Sequence, residues 1–364
     1  MISDSSFLSQ LRSSKNRLFE LLECFDRVRV LVVGDLTLDE FLTGQVERIS
    51  REAPVLIIRH ENTRQVPGGG ANAVYNLAKL GAKVKVAGFI GKDDQGIAIR
   101  RIFEDAGIDT AGMLLDSIRP TVTKTRISGH ARQSVTQQIV RVDRKSDELP
   151  DLDLQIQLAE FIRSQLETVD AVVCSDYGDG VFTAPVIEAA LSHSRTIVDA
   201  QSGLDRYVGA TLFTPNLPEA EKAVGYAIAS PQSLTQAGSD LLTLTKAKQI
   251  LITRGEQGMS LFESIQNPHS QAGAWERGKE PIQNPKSKIQ NSHIPAFNRT
   301  DVFDVTGAGD TVVAALTLSL CAGASFWEAA VLGNLAASIV VRQFGTATTS
   351  PAEMKAALQA LLEA

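Results

Sequence analysis

The stretch Asp301-Val-Phe-Asp-Val-Thr-Gly-Ala-Gly-Asp-Thr-Val312 changes character at its centre. The β-branched and aromatic residues before Thr306 predict a short strand, and the apolar, Ala-rich run that begins at Thr311 predicts a helix. Two glycines and an alanine therefore stand where a strand meets a helix N-terminus. The first N–H groups of a helix have no internal partner, and the helix dipole favours negative charge there. The stretch predicts an anion site within an α/β fold.

The carboxylate of Asp310 would repel an anion at this turn unless it has a separate task. In one interpretation, the N–H groups of Ala308, Gly309 and Asp310 stabilise a phosphoryl group. The Asp310 side chain then accepts the proton of the hydroxyl that attacks it. In the alternative, Asp310 is a helix-capping acid and the glycines only shape a turn. The spacing alone leaves both interpretations open.

Composition narrows the class of protein. A chain of 364 residues suggests one large α/β domain or two ordinary ones, and 43% hydrophobic with 21% charged residues is typical of a soluble protein with a large core. The net charge of −6 and the lack of a long basic run argue against nucleic-acid binding. Three scattered cysteines and five histidines without metal-ligand spacing predict neither a disulfide framework nor a zinc site.

The two ends of the chain and one internal segment differ from the main pattern. Nothing at the N-terminus resembles a signal peptide, and no run approaches the roughly 18 apolar residues of a membrane span, so we expect a cytoplasmic protein without a membrane partner. The apolar spacing from Phe7 to Phe25 predicts one amphipathic helix in an N-terminal segment, residues 1–27, packed on the main domain, 28–364, or on a partner subunit. Residues 266–293 are rich in Gln, Asn, Pro, Lys and Ser and predict a disordered surface insertion.

Strand and helix patterns alternate along the main domain and predict a doubly wound, mostly parallel α/β sheet flanked by helices. The apolar run Val28–Gly34 is typical of a strand buried on both faces, and Asp35 and Asp39 follow it. Because ligands bind beyond the carboxyl ends of such strands, these two carboxylates are candidates to bind a polyhydroxylated ligand. Loop capping and surface charge are equal alternatives.

Two segments interrupt this alternation with period-two patterns, residues 41–66 and residues 120–143. They predict a small lid sheet of about four strands. Its cations Lys124, Arg126 and Arg141 are either solvated edge charges or ligands of an anionic substrate.

Three glycines follow the first lid segment, in Pro67-Gly-Gly-Gly-Ala-Asn72, just before a predicted helix. They allow a ligand to approach the backbone closely, and Asn72 can both donate to and accept from sugar hydroxyls. Later in the chain, Asn216 and Glu219 stand three residues apart across a helix start. They suit Mg²⁺ held through waters near phosphates, and equally a capping box. The glycine-containing turn after the predicted strand Gln249–Thr253 could cover a nucleotide.

Two signatures, Gly68-Gly-Gly-Ala-Asn72 and Asp304-Val-Thr-Gly-Ala-Gly-Asp310, together with the lid and the doubly wound core, resemble the ribokinase-like (PfkB) sugar kinases. They occur in the order that this family shows. A narrower likeness is to the heptose 7-phosphate kinases that make precursors of the lipopolysaccharide core, over roughly residues 28–362. The features shared with them lie in Val32–Asp39, Arg48–Pro54, Ser175–Tyr177, Thr214–Glu219 and Thr253–Ser260.

The resemblance implies ATP-dependent, Mg²⁺-dependent phosphorylation of D-glycero-D-manno-heptose 7-phosphate at O1, with Asp310 as the general base. It places Gly307, Ala308 and Gly309 in an anion hole, Asn216 and Glu219 at the ATP phosphates and Mg²⁺, and Thr253, Arg254, Gly255, Gly258 and Asn334 at the nucleotide. It places Asp35, Asp39, Gly69, Gly70 and Asn72 on the sugar. Arg48, Lys124, Arg126 and Arg141 are the candidate ligands of the substrate phosphate. Asp304 and Thr306 match positions that bind a monovalent cation, K⁺, in some relatives.

Other readings of the same scaffold are a kinase for another substrate, such as a fructose phosphate, ribose or a nucleoside, and a non-catalytic sugar or nucleotide sensor. A dehydrogenase is disfavoured, because Val312 stands where G-x-G-x-x-G requires its third glycine. Many of the similar kinases are fused to a cytidylyltransferase-type domain. No second nucleotide motif follows here, so we expect the kinase alone. The exposed lid edge predicts a homodimer that pairs through the lids.

Overall fold

A nine-stranded sheet is the centre of this computed structural model, which describes residues 5–131, 135–265, 288–298 and 302–363. In chain order the strands are β1 (Arg29–Gly34), β2 (Leu36–Ile49), β3 (Leu56–Gly69), β4 (Lys83–Gly91), β5 (Asp109–Asp116), β6 (Val122–His130), β7 (Gln137–Arg144), β8 (Ala171–Asp176), β9 (Thr196–Ala200), β10 (Leu212–Phe213), β11 (Gln249–Thr253), β12 (Met259–Ile265) and β13 (Lys288–Ile294). The helices are α1 (Ser5–Ser13), α2 (Lys15–Glu23), α3 (Gly70–Lys79), α4 (Asp94–Asp105), α5 (Leu152–Gln165), α6 (Ala184–Leu191), α7 (Leu217–Val224), α8 (Pro231–Thr245), α9 (Ala308–Cys321), α10 (Phe326–Val340) and α11 (Pro351–Glu363).

The large sheet has the order β13-β12-β11-β10-β9-β8-β1-β4-β5 and is parallel except for the edge strands β12 and β13. Successive residues of β1 enter two different cores. Val30 and Val32 pack in the core that contains α3, α9 and α10, whereas Leu31 and Val33 pack in the core that contains α5, α6 and α8. This explains the nearly continuous apolar sequence of β1, and it confirms the predicted doubly wound α/β fold.

The lid is a separate sheet of four strands in the order β3-β2-β6-β7. Its central pair, β2 and β6, is parallel, and the two outer pairs are antiparallel. The strands extend beyond the predicted segments, because β2 begins at Leu36 and β3 continues to Gly69. The first residues of β2 are buried against the body, while β7 is exposed along its whole length. The lid therefore projects from the carboxyl end of β1.

The N-terminal segment forms two helices where one was predicted. Residue Ser14 separates α1 from α2, which fits the low helix propensity of the Ser13-Ser14 pair. Leu11, Leu18 and Leu22 are buried in the same core as Met354 and Leu358 of α11. The segment thus packs on the body of its own chain. No helix in the described ranges is long and apolar enough to cross a membrane.

Two other predictions about local structure are wrong. Residues 302–305 do not form a strand: the N–H groups of Phe303 and Asp304 donate to the carbonyl of Val341, and Phe303 is 63% exposed. Residues 288–293, predicted to be disordered, belong to β13, which pairs with β12 from Met259–Ile294 to Ile265–Lys288. The rest of that predicted insertion, residues 266–287, and residue Asp301 lie outside the described residues.

Candidate active site

The carboxylate of Asp310 lies in the first turn of α9 and is almost completely buried, with 4% of the residue exposed. Gly307 precedes the helix in the left-handed conformation, with φ of 78°. A Cβ atom there would lie 2.5 Å from Nδ2 of Asn72, so only glycine fits. Because α9 is buried between α3 and α10, the position of Asp310 is fixed by the core.

Two side chains hold the two oxygens of the Asp310 carboxylate. Nδ2 of Asn72 donates to Oδ2 at 2.7 Å, and the hydroxyl of Tyr177 donates to Oδ1 at 3.0 Å. Burial raises the pKa of Asp310 to about 6, although both hydrogen bonds act in the opposite direction. The group is therefore a carboxylate near neutral pH and a stronger proton acceptor than an exposed aspartate.

A polar network behind the carboxylate joins α3 to α9. Nδ2 of Asn76 donates to the carbonyl oxygen and to Oδ1 of Asn72, and the hydroxyl of Thr311 donates to Oδ1 of Asn76 at 2.9 Å. Asn72 was predicted to bind the sugar. Its amide donates to Asp310 here, so its observed contacts orient that carboxylate, and contact with a sugar stays a prediction.

The three glycines at the junction of β3 and α3 let this segment pack closely against the start of β2. A Cβ on Gly68 would lie 2.6 Å from the Asp39 carboxylate, and one on Gly70 would lie 2.9 Å from the carbonyl oxygen of Asp35. Gly69 has a positive φ of 51°. The close approach that these glycines permit is thus to the protein's own chain, and contact of Gly69 and Gly70 with a ligand stays a prediction.

Asp35 holds a loop rather than presenting a free carboxylate. Its oxygens accept from the backbone N–H groups of Tyr177 at 2.8 Å, Asp179 at 3.1 Å and Val181 at 3.1 Å. Burial, and then the negative charge of Asp176, raises its pKa to about 6. Of the alternatives left open by the sequence, loop capping is the one observed, and this loop is the one that carries Tyr177.

The predicted anion hole has fewer free N–H donors than expected. The N–H of Ala308 already donates to the carbonyl of Val305 at 3.2 Å. The N–H groups of Gly309 and Asp310 make no hydrogen bond within the described part of the chain. A Cβ atom on Gly309 would meet no heavy atom within 4 Å, so the space in front of this helix terminus is open. An anion there would be held by the N–H groups of Gly309 and Asp310.

A polar pocket opens in front of Gly309 at the carboxyl ends of β8, β9 and β11. Its lining residues are Asp176, Tyr177, Asp199, Ala200, Gln201, Thr214, Asn216, Glu219, Thr253, Gly307, Gly309 and Asp310. Asn216 and Glu219 form a capping box at the start of α7: Oδ1 of Asn216 accepts from the Glu219 N–H, and Oε2 of Glu219 accepts from the Asn216 N–H, both at 2.9 Å. Asn216 and Glu219 therefore both cap helix α7 and line the pocket.

The carboxylates of this pocket suit a metal ion only together with a ligand. Oε2 of Glu219 is used by the capping box, whereas its Oε1 makes no hydrogen bond among the described residues. Within the same ranges, no group of three or more His, Cys, Asp or Glu side chains could hold a metal ion. Mg²⁺ is commonly held by one or two carboxylates plus substrate phosphates and waters, so Glu219 fits such an ion at bound phosphates.

Asp199 lines the same pocket with intermediate exposure and was not predicted as a site residue. Its Oδ1 accepts from the hydroxyl of Thr214 at 3.1 Å. Burial, and then the charges of Asp310 and Glu219, raises its pKa to about 8. The raised pKa favours the protonated form of Asp199, which lowers its repulsion toward an anion in the pocket.

A second, more apolar pocket lies on the other side of Gly309. Thr253, Gly255, Gly258 and Asn334, all predicted to border a nucleotide, line it. Asn334 is buried, and its Nδ2 donates to the carbonyl of Pro295 at 2.8 Å, so it shapes the wall. The exposed side chains of Val302 and Val305 also line this pocket, which accounts for the apolar residues mistaken for a strand.

Arg254 points away from this apolar pocket. Its guanidinium donates to Oε1 of Gln257 at 3.0 Å and lies 2.8 Å from Nδ1 of His293 on β13. The Arg254 side chain thus lies outside the apolar pocket, although its neighbours Thr253 and Gly255 line that pocket. The sequence pattern identified the turn correctly but not the direction of this side chain.

The lid contributes cations on the face that looks toward the body. The register of β2 with β6 places Asp39 beside Lys124 and Phe41 beside Arg126. Arg126 donates to Oδ1 of Asp39 at 2.8 Å and its guanidinium lies 5.3 Å from the centre of the Phe41 ring. The Nζ of Lys124 has no ion pair among the described residues and lies 5.8 Å from the centre of the Tyr177 ring.

Two other predicted phosphate ligands, Arg141 and Arg48, lie elsewhere on the lid, and their contact with a substrate phosphate stays a prediction. Arg141 is half-exposed and forms two hydrogen bonds with Asp143, at 2.8 and 2.7 Å. Arg48 is exposed near the far end of β2, opposite Ile57. It stands nine residues beyond Asp39 along the strand, which corresponds to roughly 30 Å.

The predicted monovalent-cation residues, Asp304 and Thr306, join two loops close in sequence to Asp310. Oδ1 of Asp304 accepts from the N–H of Thr306 at 2.9 Å, and Oδ2 accepts from the N–H of Gly345 at 2.8 Å. Burial alone would raise the pKa of Asp304, but these hydrogen bonds lower it overall. The carboxylate is thus ionised and holds the loops together, and cation binding stays a prediction.

Sequence reasoning missed Tyr177 and Asp199 as site residues. A signal was present, because Tyr177 follows the buried strand β8 and Asp199 is the penultimate residue of β9, both at the edge of the sheet where Asp35 follows β1. The rule that was applied to the first strand applies equally to these two.

Comparison with known proteins agrees with this geometry. A family model described as pfkB family carbohydrate kinase matches residues 28–353. The chain is 42% identical over 343 residues to the bifunctional protein HldE of Desulfatibacillum aliphaticivorans, covering 92% of this chain and 64% of that protein. It is 39% identical over 339 residues to the protein of the same name from Pelobacter propionicus, covering 91% and 64%. The chain thus spans less than two thirds of the length of these relatives.

Solved structures share the fold at lower identity. Phosphofructokinase-2 from Escherichia coli in complex with potassium superposes with a TM-score of 0.68 at 20% identity, covering 92% of this chain and 99% of that one. Arabidopsis thaliana ribokinase complexed with ribose and ATP gives 0.64 at 19% identity, covering 93% and 99%. The predicted ribokinase-like fold is confirmed, and the family match over most of the sequence shows that this chain belongs to the pfkB family of carbohydrate kinases.

Proposed function

We propose that this carbohydrate kinase transfers the γ-phosphoryl group of ATP to O1 of D-glycero-D-manno-heptose 7-phosphate and forms the 1,7-bisphosphate. The observation that carries the proposal is Asp310, a buried carboxylate held at both oxygens beside the open N–H groups of Gly309 and Asp310. A carboxylate and an open helix N-terminus next to each other, where two pockets meet, support a base beside an anion site. The choice of heptose rests on the sequence features shared with heptose 7-phosphate kinases and on the identity to the proteins named HldE.

In the proposed reaction, each residue of the site has a separate role. Asp310 orients the attacking hydroxyl and accepts its proton, and Asn72 keeps the carboxylate aligned. The N–H groups of Gly309 and Asp310 stabilise charge on the phosphoryl group during in-line transfer. Glu219 and Asn216 lie at the ATP phosphates, and Glu219 is the proposed protein contact of Mg²⁺. When bound, Mg–ATP supplies the phosphoryl group and neutralises part of its charge.

The lid supplies the proposed contact to the substrate phosphate. Lys124 is the strongest candidate, since it has no ion pair among the described residues and sits above Tyr177, which touches the base. Arg126 is already paired with Asp39, so it would need to share its charge. Lid closure would also exclude water and so limit wasteful ATP hydrolysis.

Three further assignments complete the proposal. K⁺ binds near Asp304 and Thr306, as the pattern of some relatives implies. Two copies pair through the exposed strands of their lids, because β7 leaves an unpaired edge and its Val140 and Val142 side chains are exposed. The expected compartment is the cytoplasm, where ATP is available.

A panel of sugars tests the substrate. We expect phosphorylation of D-glycero-D-manno-heptose 7-phosphate with a kcat/KM at least about 100-fold above that for fructose 6-phosphate, ribose or a nucleoside. The position of the new phosphate is read by ³¹P NMR. Preference for another sugar of the panel would replace the heptose assignment, and binding of sugars without turnover would favour the sensor.

The pH dependence of turnover should report the buried base. Asp310 must be ionised to accept a proton, and its pKa is raised to about 6. Activity is therefore expected to fall as pH decreases through about 6, whereas an exposed aspartate would keep it down to about pH 4. The measurement is kcat between pH 5 and 9 at saturating substrates. Full activity at pH 5 would contradict this assignment.

Lys124→Gln should weaken binding of a phosphosugar specifically. We expect the KM of the variant for a phosphosugar to rise about 10–100-fold, because a charge-assisted contact to the phosphate is lost. The KM for the same sugar without its phosphate should stay within two-fold. Arg59→Gln is the matched control: Arg59 lies on the lid strand β3 and is paired with Gln45 and Glu47. Equal effects on both sugars would remove Lys124 from the phosphate site.

A further inference from the structure

Tyr177 is attached to three different parts of the molecule. Its backbone N–H donates to Oδ2 of Asp35 at the end of β1. Its hydroxyl donates to Oδ1 of Asp310 on α9 at 3.0 Å. Its ring lies under the lid, with Nζ of Lys124 5.8 Å from the ring centre. No other residue in the described ranges is shown to touch both the proposed base and a lid cation.

The hydroxyl of Tyr177 can only be the donor in its contact with Asp310. An ionised carboxylate has no proton to give. Burial, and then the negative charges of Asp310 and Asp199, raises the pKa of Tyr177 well above its ordinary value, so the phenol keeps its proton. The hydrogen bond is therefore charge-assisted and favours the ionised form of Asp310.

The three attachments differ in how firmly they are fixed. The loop around Tyr177 is held by Asp35, which also accepts from the N–H groups of Asp179 and Val181. The contact with Lys124 is the one made by the lid, whose sheet is separate from that of the body. Tyr177 thus contacts the body through its backbone N–H and its hydroxyl, and contacts the lid through its ring.

We propose that Tyr177 is a positioning residue that couples the lid to the general base, with its hydroxyl holding Oδ1 of Asp310 and its ring carrying Lys124. This rests on the proposed function of Asp310. With Asn72 on Oδ2 and Tyr177 on Oδ1, the carboxylate cannot rotate, and each oxygen keeps a lone pair for the incoming sugar hydroxyl. Because Lys124 of the lid lies over the same ring, the position of the lid is linked to the residue that holds the base.

Removal of the hydroxyl alone tests the coupling. Tyr177→Phe keeps the ring under Lys124 but deletes the donor to Asp310. We expect the acid limb of the kcat–pH profile to move upward by about one pH unit. With a limb near pH 6, this corresponds to about a five-fold loss of kcat at pH 6 and less than a two-fold loss at pH 9. The other groups that face this site, Asp39, Lys124, Asp199 and Glu219, are unchanged in the variant.

Tyr207→Phe is the matched control. Tyr207 is also buried and donates its hydroxyl to a carboxylate, Oδ2 of Asp176, at 2.6 Å, but that carboxylate is not the base. A merely structural loss of a buried hydroxyl would act alike in both variants. In Tyr207→Phe, we expect the acid limb of the kcat–pH profile to lie within about 0.2 pH units of its wild-type position, which is about the limit of such a measurement.

Removal of the ring tests the contact between Tyr177 and Lys124 of the lid. Tyr177→Leu is expected to shift the limb as Tyr177→Phe does and also to raise the KM of the sugar at least about five-fold, whereas Tyr177→Phe leaves that KM within two-fold. An unmoved limb in Tyr177→Phe, or an equal loss of kcat at every pH, would overturn the tuning of the base. An unchanged KM in Tyr177→Leu would overturn the link to the lid.

Two features keep this test separate from the proposed function. Any sugar that the wild-type enzyme phosphorylates can be used, so a wrong choice of heptose does not affect the result. If turnover is too low in a variant, the side-chain ¹³C resonance of Asp310, assigned with Asp310→Asn, gives the same titration without catalysis. A titration midpoint that is equal in wild type and Tyr177→Phe would likewise overturn the inference.

Discussion

We expect Asp310→Asn to lower kcat for sugar phosphorylation by about 10²–10⁴-fold, while the dissociation constants of ATP and sugar stay within about three-fold. The amide has nearly the shape of the carboxylate but cannot accept a proton from the substrate hydroxyl. It also fits the two neighbours of Asp310: its oxygen can accept from Asn72, and its NH₂ can donate to the oxygen of Tyr177. The variant should therefore fold and bind normally.

Turnover is measured by ADP release and binding by calorimetry, with thermal unfolding as the check on folding. The loss should be the same at every pH above 6, because no titrating base remains. Turnover near that of the wild type would remove Asp310 from the role of base and favour the helix-capping alternative. Lost binding together with lost turnover would indicate a structural role instead.

Gly309→Ala separates stability from activity. A Cβ on Gly309 meets no heavy atom within 4 Å, and the residue lies in the first turn of α9 without positive φ. Replacing such a helical glycine by alanine should increase the free energy of unfolding by about 0.5–1 kcal/mol. The same methyl group would project into the space shared by the two pockets, where the phosphoryl group is proposed to pass. We expect kcat to fall about 100-fold, as for small misplacements of a reacting group.

Gly333→Ala provides the opposite control. Gly333 is buried in α10, and its Cβ would lie 3.3 Å from Cγ1 and from the carbonyl oxygen of Val312 on α9. This substitution should lower stability and leave kcat within about three-fold. Denaturant unfolding and steady-state kinetics on both variants decide the outcome. Unchanged kcat in Gly309→Ala would show that the phosphoryl group does not approach this helix terminus.

Several features of this protein follow from short stretches of sequence. The apolar runs of β1 and β8 predict central strands of a parallel sheet, and the period-two segments predict the lid. The stretch around Asp310 predicts a carboxylate at an open helix N-terminus. These inferences succeed because burial pattern, turn chemistry and helix polarity depend on residues that are neighbours in the chain.

Contacts between distant segments could not be predicted in this way. The sequence left Asp35 open between ligand binding and loop capping, and its contacts with three N–H groups of a loop more than a hundred residues later appear only in the structure. Arg126 was a candidate edge charge or phosphate ligand, and its pairing with Asp39 across β2 and β6 was not foreseen. In each case the partner is set by the register and crossing of elements, which no local pattern contains.

The sequence by itself determined the fold class through its strand and helix patterns, the family through two signatures, and the position of Asp310 at a helix start. Tertiary structure alone decided which groups surround that carboxylate. Asn72 comes from α3 and Tyr177 from the loop after β8, and they meet Asp310 only because α3 and α9 pack together at the carboxyl edge of the sheet. The properties of the base, its orientation and its raised pKa, arise from burial and from these long-range hydrogen bonds.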